Sequence, residues 1–168
     1  EADLVRFLSL NVRGPRGLDI SPDGRLLAVA GYYSGNVPVL STSTEQVLFT
    51  INLHNHGTPP NAERVGEMIF HDARYCYQNW LSCATCHPEG RADGLNWDLP
   101  NDGIGNPKNT RSLLFSHRTP PVMSHGVRAR MEIATAAGFK YILFRQPTAD
   151  ELQKVNAYIR SLEPTPSP

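Results

Sequence analysis

The chain has 168 residues, 40% of them apolar, and its 16 Lys and Arg balance its 16 Asp and Glu. That is material for one ordinary core or two small ones. Zero formal net charge argues against a general electrostatic grip on nucleic acid or an anionic membrane, and no apolar run approaches the length of a membrane span. The start at Glu1, Ala2 and Asp3 lacks the basic lead and apolar stretch of a secretory signal. The chain is therefore expected to be a processed or internal portion of its gene product. Its three cysteines are an odd count, whereas a disulfide framework needs pairs.

The first elements in chain order are strands. Residues 18–20, 26–33, 37–40 and 46–53 are rich in β-branched and aromatic side chains. Turn signals separate them at Pro22-Asp23-Gly24, at Ser34-Gly35-Asn36 and over residues 41–44. Pro sets one backbone angle of such a turn, and Asp can hydrogen-bond its own backbone. Four short strands in about forty residues is the size of one β-propeller blade. The stretch "SPDGRLLAVAGYYSGNVPVL" resembles a blade of the propellers whose repeats carry the YVTN signature. The resemblance implies that residues 1–53 are a partial propeller. A single blade leaves two faces and two edges bare, so the remaining blades are expected on another polypeptide or further along the same gene product. The alternative is a small antiparallel sheet packed on the rest of the chain.

Residues 54–63, "HNHGTPPNAE", read as a linker, because Gly57 and Pro59-Pro60 oppose regular structure. His54 and His56 are expected to be solvated linker residues, with a ligand role as the alternative. From residue 64 the pattern becomes helical. Val65, Met68, Ile69 and Tyr75 have helical spacing, which predicts one helix through Tyr75.

Next comes Cys83-Ala84-Thr85-Cys86-His87, a CxxCH motif. Zinc would want a second pair of Cys or His at ligand spacing, and a thioredoxin-like pair would sit in a βαβ unit; neither context is present. Covalent haem c accounts for the motif best. Two thiols separated by two residues on a nascent helix reach two vinyl groups on one porphyrin edge, and the next residue offers its imidazole to the iron. Arg91, Arg111 and Arg118 are candidate partners of the haem propionates, since a buried carboxylate needs a charged or hydrogen-bonded neighbour. Asp93, Asn96, Asp98, Asn101 and Asp102 bunch oxygen donors, but without EF-hand spacing. Turns are the expectation there and calcium the alternative. Trp80 and Trp97 flank the motif as pocket lining or as an electron relay. Cys76 is expected to be a buried thiol, with pairing to another chain as the alternative.

The final segment, "PTADELQKVNAYIRSLEP", has an explicit start and stop. Thr148 with Glu151 forms a capping box, Pro164 closes the helix, and Leu152, Val155, Ile159 and Leu162 make an apolar stripe with Tyr158 on its border. Residues 164–168 read as a loose tail.

The helices around CxxCH resemble the first and last helices of a class I cytochrome c. That resemblance implies a mono-haem domain over residues 64–163, with Gly66, Phe70 and Tyr158 at a helix crossing. Asp93-Gly94, "NPKNTRSLL" and "TPPVMSHG" are similar to motifs of the di-haem cytochrome c peroxidases, though this chain has one CxxCH where those have two. Blade and haem motif together resemble the propeller-cytochrome fusion proteins. The loop "RTPPVMSHG" is of the Pro-braced kind that presents a distal ligand. By that likeness Met123 is the leading sixth ligand, with His125 and His117 as alternatives, an open site as another, and Met131→Ala expected to leave ligation, carbon monoxide access and potential unchanged.

The fold class expected is α+β: one antiparallel four-stranded blade, then an all-α class I cytochrome c domain. The function expected is an electron-transfer subunit of a larger extracytoplasmic, periplasmic-type redox complex, partnered by a redox protein or subunit carrying the other blades. The alternatives are the haem half of a di-haem peroxidase-like oxidoreductase and a propeller scaffold with a structural haem.

Overall fold

The computed structural model describes residues 7–53, 59–100 and 103–164. His54, His56, Asn101, Asp102, the chain start and residues 165–168 lie outside the described residues. The chain is of mixed α and β type and divides into two compact units, Glu1–Thr58 and Pro59–Pro168.

In the first unit β1 (Pro15–Ile20), β2 (Leu26–Gly31), β3 (Asn36–Ser41) and β4 (Val47–Asn52) form one antiparallel sheet in sequence order. The turn between β1 and β2 is built on Asp23, whose Oδ1 accepts from Ser21 Oγ at 2.6 Å and from the Arg25 amide at 3.1 Å. Cross-strand partners share a sheet face. Leu18 lies opposite Val29, Ile20 opposite Leu27, and Leu27 opposite Leu40, which makes one face apolar. Ala28 lies opposite Val39, Val39 opposite Phe49, and Val37 opposite Ile51, which makes the other face apolar too. An antiparallel sheet with one solvated face alternates apolar with polar; this one does not. On its outer strands Leu18 is 72% exposed and Phe49 52%.

Among its described residues the second unit holds four α-helices: α1 (Ala62–Phe70), α2 (Cys83–Cys86), α3 (Met131–Tyr141) and α4 (Ala149–Ser161). Asn61 caps α1 by accepting the Arg64 amide at 2.8 Å, so the helix begins two residues before the expected boundary at 64. It also ends sooner than expected, at Phe70 rather than Tyr75. Asp72 supplies the reason. Its carboxylate accepts the Arg74 amide at 2.9 Å and the Arg74 Nε at 2.9 Å, a local alternative to the helical ladder. Two 3₁₀ turns then carry the chain to Asn79. The all-α expectation acquires a short strand pair, β5 (Asn96–Trp97) antiparallel to β6 (Lys108–Asn109).

Helices α1 and α4 cross at Gly66. A Cβ there would stand 1.9 Å from the Lys154 carbonyl oxygen and 3.0 Å from Tyr158 Cβ. Beside the crossing, the Phe70 and Tyr158 rings meet edge to face at 5.1 Å. Phe70, Phe139, Val155 and Ile159 are buried in the core, together with Cys76, a free thiol.

The start of α4 is latched to the preceding segment. Arg145 donates to both Glu151 oxygens, at 3.1 and 2.9 Å, and lies 4.7 Å over the Tyr75 ring. Glu151 also accepts the Thr148 amide at 2.8 Å, completing the capping box. The Arg145 hydrogen bond, first among the causes, holds the Glu151 carboxyl below its ordinary value of 4.5. A depressed carboxyl contributes stability that is full above the unfolded value and is lost as pH falls through the folded one. Arg145 keeps about a third of its side chain in water, so the contribution is about 1 kcal/mol. Glu151→Gln is expected to lower the thermal midpoint of this unit near neutrality, by an amount that shrinks as pH falls through the folded carboxyl's depressed value. Thermal unfolding across that range checks it.

Candidate functional site

The CxxCH residues form the single turn α2 and its exit. Thr85 Oγ1 accepts the Ser82 amide at 3.0 Å, and the His87 amide donates to the Cys83 carbonyl at 3.0 Å. Cys83 and Cys86, three apart on one turn, therefore share a face. His87 Nδ1 lies 3.1 Å from the Arg91 carbonyl oxygen. A carbonyl can only accept, so Nδ1 carries the proton and Nε2 keeps its lone pair. The return loop depends on Gly90, at φ +70, where a Cβ would meet Leu162 Cδ1 at 2.7 Å.

This face opens on a cavity of about 430 Å³ within the second unit. Phe70, Leu81, Phe139, Leu143, Val155 and Ile159 supply an apolar wall. Residues Lys108 to Ser112 supply another, continuous with Trp97 across the β5–β6 pair. Trp97 is fixed from behind: its Nε1 donates to Asp93 Oδ2 at 2.8 Å, while Asp93 Oδ1 accepts the Leu95 amide at 3.0 Å. The Asp93 amide in turn donates to the Cys86 carbonyl at 3.1 Å, which ties this wall to the CxxCH motif.

Met123 enters the same cavity from a closed turn. Val122 and Arg128 pair through two backbone bonds, 2.8 and 3.2 Å, and the Gly126 amide donates to the Met123 carbonyl at 3.2 Å. Met123 itself sits at φ 69, ψ 179, a region that is essentially glycine's. The paired flanks hold that conformation against its cost.

Electrostatics keep the motif neutral. Burial pushes the Cys83 thiol up to about 12; what accessible surface it retains lines the cavity. Burial raises Cys86 as well, with the Asp93 charge adding to it. Burial lowers His87, opposed by the Arg91 carbonyl, the Asp93 charge and the Arg111 backbone. Near neutrality the site thus presents two thiols and an unprotonated imidazole, a donor set and apolar volume that fit a thioether-linked haem. Among the described residues no three of His, Cys, Asp and Glu gather as a metal nest.

The other expected site residues divide. Arg111 lines the cavity; Arg91 and Arg118 do not. Arg91 contributes its carbonyl to His87, and Arg118 is engaged with Glu163 at 3.5 Å and with the Phe115 ring at 5.1 Å. Neither His117 nor His125 lines the cavity. Arg118 Nε donates to His117 Nε2 at 3.1 Å, so that nitrogen's lone pair is taken, and His125 is exposed. Met131 is 3% exposed and lines the cavity alongside Met123, because α3 forms part of the wall. Trp80 is exposed, whereas Trp97 lines the cavity. The acidic run behaves as turns where it is described, with Asp98 accepting the Gly105 and Asn106 amides at 2.8 and 3.3 Å. Sequence reasoning missed α3 and Lys108. The α3 stretch "MEIATAAGFKY" has no clear apolar stripe, so periodicity carries no signal there. Lys108 could have been found by noting the second cation in "NPKNTRSLL".

No family model matches the chain. It is 29% identical over 170 aligned residues to hydrazine synthase subunit gamma of Kuenenia stuttgartiensis, covering 85% of this chain and 48% of that protein. A solved structure, Kuenenia stuttgartiensis hydrazine synthase pressurized with 20 bar xenon, matches it with a TM-score of 0.63 at 25% identity, over 73% of this chain and 50% of the other. The chain spans about half the length of the curated relative it matches.

Proposed function

We propose that the chain is a c-type haem component of a larger redox enzyme complex, acting in electron transfer. Cys83 and Cys86 would hold the haem through thioether bonds, and His87 Nε2 and the Met123 thioether would ligate its iron. Haem c supplies one-electron chemistry at an iron that cannot be lost by dissociation. The protein's own residues hold the donors in place: the Arg91 carbonyl orients His87, the strained turn aims Met123, and the apolar wall excludes water. The observation that carries the reading is one cavity bordered by both thiols, the neutral imidazole and the Met123 thioether.

The relative's name, subunit gamma of a synthase, supports membership of a multi-subunit assembly. Two apolar sheet faces support a blade packed between further blades, supplied by a partner or by more of the same polypeptide. The reading implies an extracytoplasmic location, because haem c is attached on the exported side.

The test is extraction. Protein produced with the haem-attachment machinery is denatured in acidified acetone. The haem is expected to stay with the polypeptide, and Cys83→Ser with Cys86→Ser to release it. Haem that extracts from the unaltered chain would overturn the covalent assignment.

A further inference from the structure

We infer that the outer side of α3 is a docking groove for an acidic, aliphatic segment of a partner protein. The inference rests on the reading of the chain as one component of a larger complex. Helix α3 carries two sets of residues with the i, i+3, i+4, i+7 spacing of one helix face. Met131, Ala134, Thr135 and Gly138 are one set, and all four line the cavity beside the CxxCH motif. Ile133, Ala136, Ala137 and Lys140 are the other, half a turn round, and all four line a separate open groove of about 380 Å³ in the same unit. With apolar residues on opposite sides, no single stripe stands out in the sequence. A helix that is apolar all round belongs in a buried setting. Here the second side lacks cover, and Ile133 is 42% exposed. Pro147 and Leu152 complete the apolar lining of the groove.

Charge decides what covers it. Among the described residues lining the groove the charged ones are Arg128 and Lys140, both cations. The neighbouring carboxylates are committed elsewhere: Glu132 to Arg160 and Arg130, Asp150 to Lys154 at 2.6 Å, and Glu151 to Arg145 at 2.9 Å. Arg128 instead donates to the Val127 carbonyl at 3.3 Å, and Lys140 lies 4.9 Å from the centre of the Tyr141 ring. Among the described residues neither forms an ion pair. From Ile133 to Lys140 the floor runs about 10 Å, two helical turns. That suits a helical segment whose aliphatic residues, three and four apart, lie over the alanines, with acidic residues toward its ends. Complementary charge then fixes its register. A membrane-binding face would present bulky apolar side chains and a wider basic rim, whereas this floor is recessed and built on alanine.

The experiment presents the full chain to random peptides of about twelve residues displayed on phage, long enough for three helical turns. Enriched peptides are expected to combine Leu, Ile or Phe three and four apart with Asp or Glu near both ends. Made synthetically, such a peptide should bind about tenfold or more weakly to Arg128→Glu with Lys140→Glu. Exchanging its Asp and Glu for Lys should restore affinity for that double variant and remove it for the unaltered chain. Ala136→Phe, which fills the floor and keeps both cations, should also abolish binding. Arg128→Gln and Lys140→Gln should each weaken binding part of the way, which keeps the claim testable if the double variant folds poorly. Arg13→Glu, in the first unit, should bind as the unaltered chain does. Enriched peptides without acidic residues, no enrichment, or affinity unmoved by the double variant overturns the inference. So does self-association of the unaltered chain that the double variant abolishes, since the occupant is then a second copy. Binding to phosphatidylserine vesicles that is lost in the same variant assigns the groove to a lipid surface and overturns it likewise. The acetone extraction reads the haem independently, so failure here leaves the haem reading standing.

Discussion

Gly66→Ala is expected to cost about 3 kcal/mol or more of the second unit's stability, because the new methyl would stand 1.9 Å from the Lys154 carbonyl oxygen and 2.5 Å from its carbon. The obstacle is backbone, so no side-chain rotation relieves it. Helix α4 would have to move away from α1, opening the Phe70–Tyr158 contact and the wall formed by Val155 and Ile159. Gly138→Ala makes the opposite comparison. It also lies inside a helix, α3, yet a Cβ there meets nothing within 4 Å. Helix propensity then favours Ala by about 1 kcal/mol. Because Gly138 lines the cavity, the added methyl should stabilise the haem-free chain while weakening porphyrin binding. Denaturant unfolding of the three proteins separates the cases. Equal stability for Gly66→Ala and the unaltered chain would sink the argument from close approach.

On the proposed reading, Met123→Gly is expected to remove the sixth ligand and to stabilise the fold at once. The thioether band near the red end of the visible ferric spectrum should vanish, the iron should bind carbon monoxide, and the potential should fall as water or hydroxide replaces sulfur. Relief of φ 69, ψ 179 should return about 1 kcal/mol or more to the fold. Loss of ligation with a gain in stability is a combination that general damage does not produce. Met123→Ala should lose the band without the gain, since Ala is no better suited to that backbone. Met131→Ala should cost about 2–5 kcal/mol as a buried truncation and keep the band. If Met123→Gly leaves the spectrum untouched and His117→Ala or His125→Ala turns it high-spin, the ligand is a histidine and the electron-transfer reading gives way to a low-potential haem.

Some of this molecule is written in short stretches of chain. The four strands follow from β-branched runs between turns whose chemistry lies within a few residues, such as Ser21, Asp23 and Arg25. The start of α4 follows from Thr148 and Glu151 three positions apart in one capping box. The chemistry of Cys83, Cys86 and His87 is likewise local, since one turn of helix brings the two thiols to one face. What tertiary structure decided depends on residues distant in sequence. Arg91, Arg111 and Arg118 are equivalent as letters, yet only Arg111 meets the cavity, because the β5–β6 pair turns its segment inward while Arg118 is drawn to Glu163. His117 and Met123 stand six positions apart; Arg118 takes one and a strained turn aims the other. Met131 became a wall residue because α3, unmarked by any apolar stripe, is helical through its packing rather than its pattern. Periodicity reports which face of an element is buried, whereas cavity walls are chosen by which elements meet, and that choice is made only when the chain closes on itself.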